Sequence, residues 1–442
     1  MFSNRDLCRL LIPLIIEQLL NSLMGMVDTM MVSNVGSEAI SAVALVDSIN
    51  LLVIQVFSAL AAGGTIICSQ YLGRRDDDKA KQAAQQLVLV IAGISVMLSV
   101  VCLIFRIPLL RLIFGEVEPA VMANSETYFF YTVMSYPFFA LFGAGSSIFR
   151  AQEDSRTPMI VSVISNVLNI AGNAALIWGF GMGVAGAAIA TLASRIFSCV
   201  AVLWLLHSQK CRIPVRDYRG ARLNLALAGL ILSVGIPSGI ENGMFQFGKL
   251  AIQSTVSTLG TTAIAAQAMT SILEGLNGIA GIGVGIGLMT IVGECIGAGR
   301  KDEAVYYIKK LMVIAEAVVL LSCLIVYAST RTITVLAGME PESADMCLHM
   351  MGWITLVKPI VWIFSFILAY GMRAAGDVKY SMVVSCVTMW TFRVTLCILL
   401  CRRFGFGPIA VWIGMFTDWT ARGVLFTLRF LSGRWAEHHI VK

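Results

Sequence analysis

The stretch IPLIIEQLLNSLMGMVDTMMV, residues 12–32, carries only two charged residues in twenty-one, Glu17 and Asp28. A membrane-spanning helix needs about 20 predominantly apolar residues, so this stretch predicts a span, which the apolar residues before it extend to 8–32. Arg5 and Arg9 precede it as in a secretory signal, but Glu17 and Gln18 interrupt the run and no small-residue cleavage site follows. It reads as a retained first span. Similar runs recur at 42–70, 82–105, 124–148, 157–178, 183–206, 226–254, 262–292, 304–328, 346–371, 379–401 and 408–431. Twelve spans result, and dividing 442 residues by about 37 for a span with its loop gives the same count. The runs are continuous rather than alternating over about ten residues, which argues against a membrane β-barrel.

The composition agrees. The chain is 58% hydrophobic and 13% charged, with a mean hydropathy of +0.83, against about 45–50% apolar and about 25% charged in soluble domains. Soluble enzymes, nucleic-acid binders and disordered chains are excluded on that ground. The net charge of +6 has a membrane explanation: with the N-terminus inside, twenty-two Lys and Arg fall in cytoplasmic segments, including Lys210, Arg219 and Lys442. Only Arg106, Arg111, Arg331, Arg402 and Arg403 fall outside. That bias predicts cytoplasmic termini and an even number of spans, in what is expected to be a bacterial inner membrane. The eleven cysteines show no CxxC and no zinc spacing, and Cys397 and Cys401, on one helix face, read as small buried hydrophobes. His207, His438 and His439 lie in loops or tails and His349 stands apart, so no metal centre and no cofactor are predicted. Asp76, Asp77 and Asp78, flanked by Arg and Lys, read as a solvated loop rather than a metal-diphosphate motif.

The chain repeats itself at a shift of 224 residues. IPLIIE at 12–17 meets IPSGIE at 236–241, pairing Pro13 with Pro237 and Glu17 with Glu241. GSEAISAVA at 36–44 meets GTTAIAAQA at 260–268, Gly73, Asp78 and Ala80 meet Gly297, Asp302 and Ala304, and FGMG at 180–183 meets FGFG at 404–407. At a shift of 223, Arg150, Ala151 and Asp154 meet Arg373, Ala374 and Asp377. The expected fold is therefore an all-α integral membrane protein of twelve transmembrane helices in two pseudo-symmetric six-helix lobes. The N-lobe is residues 1–206, a basic linker loop is 207–225, and the C-lobe is 226–442. Six spans per half give a parallel repeat, an arrangement of secondary transporters with a site where the repeats meet. Channels more often build pores from symmetric oligomers, so a monomeric carrier is expected.

The major facilitator pattern, an acid and a base ahead of GRR in the second loop, is absent, since Ser69, Gln70, Tyr71 and Leu72 precede Gly73, Arg74 and Arg75. GMVDTMMV at 25–32, SQYLGRR at 69–75, GECIGAGRKDEA at 293–304, NVLNIAGN at 166–173 and GVAGAAIAT at 183–191 resemble the multidrug and toxic compound extrusion (MATE) family. The resemblance covers nearly the whole chain and implies drug or metabolite export coupled to H⁺ or Na⁺.

An ionisable group in a bilayer costs roughly 2.5–3.5 kcal/mol on insertion scales. Asp28, deep in the first span, reads as a cation or proton site, against a structural hydrogen bond to a neighbouring helix. Asn166, Asn169 and Asn173, at i, i+3 and i+7, share one helix face, against simple interhelical bonding. The repeat separates these readings. Moved by 224, Asp28 falls on Ile252, Asn166 on Trp390, Asn169 on Arg393, Asn173 on Cys397 and Thr191 on Met415, so the oxygen ligands occur in one half only. In the MATE family an aspartate of the first helix, an Asn and an Asp of the fifth and a Thr of the sixth form a cation site. The resemblance carries this to Asp28, Asn169, Asn173 and Thr191, with Na⁺ at Asp28 as the one metal. Asn173 stands where many members have Asp, which lowers the negative charge and favours protons over Na⁺. The C-lobe acids of the sodium-coupled branch are missing: Phe245 stands at the matching position of span seven, and no acid lies between Pro359 and Arg373.

Glu17 and Glu241 are matched by symmetry and read as substrate or gate residues, against pairing with a basic group such as Lys249, Lys358, Arg195, Arg393 or Arg422. Glu274 and Asp418 read the same way. Met24 and Phe245 belong to adaptable, aromatic surfaces that suit varied apolar ligands, against ordinary packing. The expected activity is antiport of amphiphilic, cationic drugs or metabolites against H⁺ or Na⁺ by alternating access. The alternative is a flippase for a lipid-linked saccharide, which requires a more cationic cleft. The expected partners are the lipid bilayer and a small amphiphile, with no nucleic acid. An embedded transferase would need an acidic metal motif facing a cavity, and none is convincing.

Overall fold

A computed structural model describes residues 1–115, 117–208, 211–216, 222–437 and 440–441. Lys210, Arg219, His438, His439 and Lys442, with part of the 207–225 loop, lie outside the described residues. Among the described residues every regular element is helical. In order these are α1 (Asn4–Ser33), α2 (Ser37–Gly73), α3 (Asp77–Ile104), α4 (Arg106–Phe114), α5 (Pro119–Ala151), α6 (Arg156–Asn173) and α7 (Gly183–Leu206). There follow α8 (Leu225–Val256), α9 (Thr261–Gly297), α10 (Lys301–Leu336), α11 (Pro341–Ala375), α12 (Val378–Thr388), α13 (Thr395–Phe404) and α14 (Ile409–Leu431).

All twelve apolar runs fold as helix. Eleven helical stretches among the described residues are long and apolar enough to cross a membrane. The last run forms α14, 23 residues long, but Asp418 and Arg422 at its centre leave it short of that apolarity. The longest helices, α2 and α9, have 37 residues each. At 1.5 Å per residue they measure about 55 Å, well beyond the roughly 30 Å hydrocarbon core. Large apolar side chains such as Val200, Trp204 and Val313 face outward at 60–75% exposure. Water would penalise that surface, whereas acyl chains solvate it. The chain is an all-α, largely membrane-spanning helical bundle.

It divides into two compact units, Asn4–Gly239 and Ile240–Lys442, the second including Met1–Ser3. Within the first, α5 packs against α2, α3 and α7, and α6 against α1 and α7. Within the second, α9 packs against α10 and α11, and α11 against α14. The repeated glycines have a conformational reason. Gly36 and Gly260 start α2 and α9 at φ 141° and 95°, and the glycines of FGMG and FGFG all have φ between 58° and 69°. Side chains other than glycine rarely adopt those values.

Each unit also carries one six-residue π-helical turn, Ala174–Gly179 after α6 and Met389–Val394 between α12 and α13. Such turns re-aim side chains and concentrate at functional sites. Each lies against a glycine of the following long helix. A Cβ on Gly186 would come within 3.0 Å of the Leu176 backbone, and one on Gly414 within 2.7 Å of the Arg393 carbonyl oxygen. Gly414→Ala is expected to destabilise the protein by about 1–3 kcal/mol, read as a lower thermal unfolding midpoint in detergent. Gly243→Ala, where nothing lies within 4 Å, is the control expected to lose nothing.

Candidate functional site

Asp28, Asn169, Asn173 and Thr191 come from α1, α6 and α7 and form one hydrogen-bonded chain in the first unit. Asn173 Nδ2 donates to Asp28 Oδ1 at 2.5 Å and to Asn169 Oδ1 at 3.2 Å, and Asn169 Nδ2 donates to Thr191 Oγ1 at 3.3 Å. Asn169 and Asn173 stand i, i+4 on α6, so helical geometry stacks their amides along one face. Both are buried, while Asp28 and Thr191 are half-buried. Asn173 Oδ1 is buried with no hydrogen-bond partner among the described residues. Asn166 stays outside the chain, and its Nδ2 is likewise without a partner there.

A second polar layer adjoins this chain. Asp47 on α2 accepts from Asn50 Nδ2 at 3.0 Å and from the Tyr128 hydroxyl at 3.3 Å, and the Tyr136 hydroxyl donates to Asn50 Oδ1 at 2.7 Å. Arg195 on α7 donates to Ser135 Oγ at 2.6 Å, with its guanidinium over Phe139. Asp47 and Arg195 both act electrostatically on Asp28. Asp47 is exposed. Sequence reasoning missed Asp47. Its signal is the one that exposes Asp28, a lone acid, here between Val46 and Ser48, inside an apolar run.

The two symmetric glutamates form ion pairs, and with partners other than those the sequence offered. Arg150 Nη2 donates to both carboxylate oxygens of Glu17 at 2.9 and 3.0 Å, and Arg373 Nη2 to Glu241 Oε1 at 2.6 Å. Lys249, Lys358, Arg195, Arg393 and Arg422 pair with neither glutamate. By sequence Arg150 and Arg373 count only as cytoplasmic charge, although they are themselves related by the shift of 223. Both carboxylates are buried, so the pairs tie the middle of α1 to the last turn of α5 and the middle of α8 to the last turn of α11. A double-mutant cycle of Glu17→Gln with Arg150→Gln is expected to give a coupling of about 1.5–3 kcal/mol, measured by thermal unfolding. The cycle at Glu241 and Arg373 should match it.

In the second unit Arg393 and Arg422 meet Asp418, and Lys358 meets Glu274. Asp418 on α14 accepts from Arg422 Nη2 at 2.9 and 2.8 Å, and Arg393 Nη2 lies 2.8 Å from its Oδ2. Both guanidinium groups stack on Phe245, at 5.3 and 4.8 Å from the ring centroid. Lys358 Nζ lies 2.5 Å from Glu274 Oε1 and 2.6 Å from Asn277 Oδ1, with its ammonium over Trp362. Met24 is half-buried on α1.

The helices, the repeat and the two polar clusters together invite comparison with known proteins. The MatE family model matches residues 13–175 and again 237–399, two stretches displaced by the same 224 residues as the internal repeat. The chain belongs to the MatE family. It is 26% identical to the uncharacterized transporter YisQ of Bacillus subtilis over 430 residues, covering 96% of this chain and 93% of YisQ. It is 25% identical to the probable multidrug resistance protein NorM of Thermotoga maritima over 454 residues, covering 99% and 94%. Among solved structures it resembles MATE in the straight conformation with a TM-score of 0.88 at 19% identity, covering 98% of this chain and 97% of that one. A MOP superfamily transporter from Pyrococcus furiosus gives a TM-score of 0.87 at 18% identity, covering 98% and 96%. Membership of the MatE family makes this chain a multi-pass secondary transporter and not an enzyme.

Proposed function

We propose that this MatE protein is a monomeric antiporter of the bacterial inner membrane that exports amphiphilic small molecules in exchange for protons. In this reading α14 is the twelfth span and both termini are cytoplasmic. The lobes 1–206 and 226–442, joined by the 207–225 loop, open the substrate path to each side in turn. The carrying observation is the chain from Asp28 through Asn173 and Asn169 to Thr191, which places a half-buried carboxylate beside the unpartnered acceptor Asn173 Oδ1.

Loading Asp28 removes its charge, and with it the charge-assisted part of the hydrogen bond from Asn173. That bond is a side-chain link between α1 and α6; another joins Ser162 Oγ to Asn21 Oδ1 at 3.0 Å. Proton binding therefore favours whichever state needs α1 and α6 less tightly joined, which is how a bound ion biases a two-state equilibrium. Na⁺ is the alternative ion. It wants several oxygen ligands, and Asp28, Asn173 Oδ1 and Thr191 Oγ1 are the ones on offer. A proton needs Asp28 only, and Arg195 already offsets one of the two nearby carboxylates, so protons are preferred. The Thermotoga maritima relative's name, as a probable multidrug resistance protein, supports an amphiphilic cargo.

Purified protein in vesicles tests this. Efflux of fluorescent amphiphiles, one cationic and one anionic, is followed under an imposed pH or Na⁺ gradient. A pH gradient should drive efflux of at least one of them, and a Na⁺ gradient should not. Efflux with Na⁺ only moves the assignment to Na⁺, and efflux with neither sinks the antiport. A second reading, a lipid-linked saccharide flippase, is favoured by the excess of basic residues in the second unit.

A further inference from the structure

The repeat places an opposite charge where the second unit corresponds to the Asp28 chain. Arg393 stands at the position related by 224 to Asn169, and Lys249 lies one helical turn before Ile252, the counterpart of Asp28. Arg393 acts electrostatically on Lys249 and is acted on by Arg422, and with Lys358 these four cations meet the carboxylates Glu274 and Asp418. Both carboxylates are already engaged, Asp418 by two arginines and Glu274 by Lys358. Lys249 has no ion-pair partner among the described residues. Its side chain is exposed.

The unsatisfied groups there point the same way. Arg393 Nε, Arg422 Nε, Trp419 Nε1 and Asn277 Nδ2 are buried without a hydrogen-bond partner among the described residues. All four are donors. Arginine and lysine carry no acceptor at all, so what the cluster lacks is acceptor oxygen and negative charge. Two of these donors belong to side chains only 3% and 1% exposed, Arg393 and Arg422. A surplus cation inside a membrane helix is costly and by default marks a functional site. Phe245, half-buried beneath both guanidinium groups, offers an apolar face next to the charge.

From this geometry we infer that the second unit binds the anionic group, phosphate or carboxylate, of an amphiphilic substrate, with Lys249 and Arg393 as its charged contacts and Phe245 against its apolar part. This rests on the transporter reading above and replaces the cationic cargo expected from the sequence. Oxyanions suit guanidinium and ammonium groups, which match them in charge and donor geometry. The Arg393–Asp418–Arg422 triad holds Arg393 in place without neutralising the site.

The test uses the full chain in nanodiscs and two soluble probes of equal length, octyl phosphate and octyl trimethylammonium. Octyl phosphate should bind at least about tenfold more tightly than the cation, a difference of about 1.4 kcal/mol. Lys249→Gln should cost about tenfold in octyl phosphate affinity, and Lys249→Arg should restore it. Lys249 is accessible and unpaired, so its loss leaves folding intact; an Arg393→Gln variant adds a second measurement where it folds. Nanodiscs containing phosphatidic acid separate the sources. Competition by that lipid against bound octyl phosphate assigns the site to a lipid headgroup, and its absence assigns it to a free amphiphile. Equal or tighter binding of the trimethylammonium probe overturns the proposal, as does octyl phosphate affinity indifferent to Lys249→Gln. In vesicles, pH-driven efflux of only the cationic amphiphile also overturns it while leaving antiport standing. Lys249-dependent binding without gradient-driven efflux of either amphiphile does the reverse.

Discussion

Asp28→Asn is expected to abolish gradient-driven efflux, reducing it to the level of protein-free vesicles, while the protein still purifies folded. The substitution keeps the size of the side chain and an oxygen able to accept from Asn173 Nδ2, whose bond to Asp28 Oδ1 measures 2.5 Å. What it removes is the charge. A transporter coupled through this carboxylate then has nothing for the gradient to load, so binding persists and net transport stops. Asp47→Asn is expected to slow transport without stopping it, because Asp47 acts on Asp28 electrostatically and is no member of the amide chain. Asn173→Asp gives the converse test. It places a second carboxylate against Asp28 and replaces the amide that now donates to it, and two adjacent carboxylates demand a shared proton or a bound cation. Transport by that variant is expected to respond to a Na⁺ gradient. Full transport by Asp28→Asn would remove this aspartate from the mechanism and leave Asp47 as the acid of the first unit to test.

The largest stability loss is expected at Asp418→Asn. Asp418 is 0% exposed and lies between Arg393 and Arg422, which are 3% and 1% exposed. Removing the central charge leaves two buried guanidinium groups facing each other with no counter-ion, and breaking such a buried pair costs about 3–5 kcal/mol. Thermal unfolding in detergent should show it as a clear fall in midpoint. Arg422→Met in the same chain should recover part of the loss, because it removes one of the stranded charges. Equal midpoints for wild type and Asp418→Asn would mean that water or lipid headgroups, rather than Asp418, satisfy these arginines.

Much of the fold is legible in the amino-acid sequence. A bilayer cannot hydrogen-bond the backbone, so long apolar runs have to be helices, and all twelve runs are. The one at 408–431 shows the limit of that rule. Its ion pair belongs to the interior of the unit, and an average over the helix counts those charges against it. The repeat is legible for a similar reason, since FGMG and FGFG, with Gly36 and Gly260, stand where the backbone takes a left-handed or extended-positive φ that glycine suits. Those positions resist change in both halves.

The candidate site is only half legible. Asp28 announces itself because an acid in an apolar run is expensive, and Asn169 and Asn173 declare a common face through their spacing. Asp47 carries the same signal, and sequence reasoning passed over it. Arg150 reads as surface charge, since nothing in its local sequence tells that its guanidinium reaches Glu17, 133 residues away. The division follows from the range of the physics. Helix positions, apolar character and the duplicated register depend on hydropathy and backbone chemistry within some twenty residues, and the sequence by itself determined them. Which cation meets which carboxylate, which amide oxygen is left without a donor, and where positive charge exceeds negative depend on side chains brought together from distant helices. Tertiary packing alone decided those, because an ion pair or a hydrogen bond forms only within a few ångströms, and chain separation says nothing about that distance.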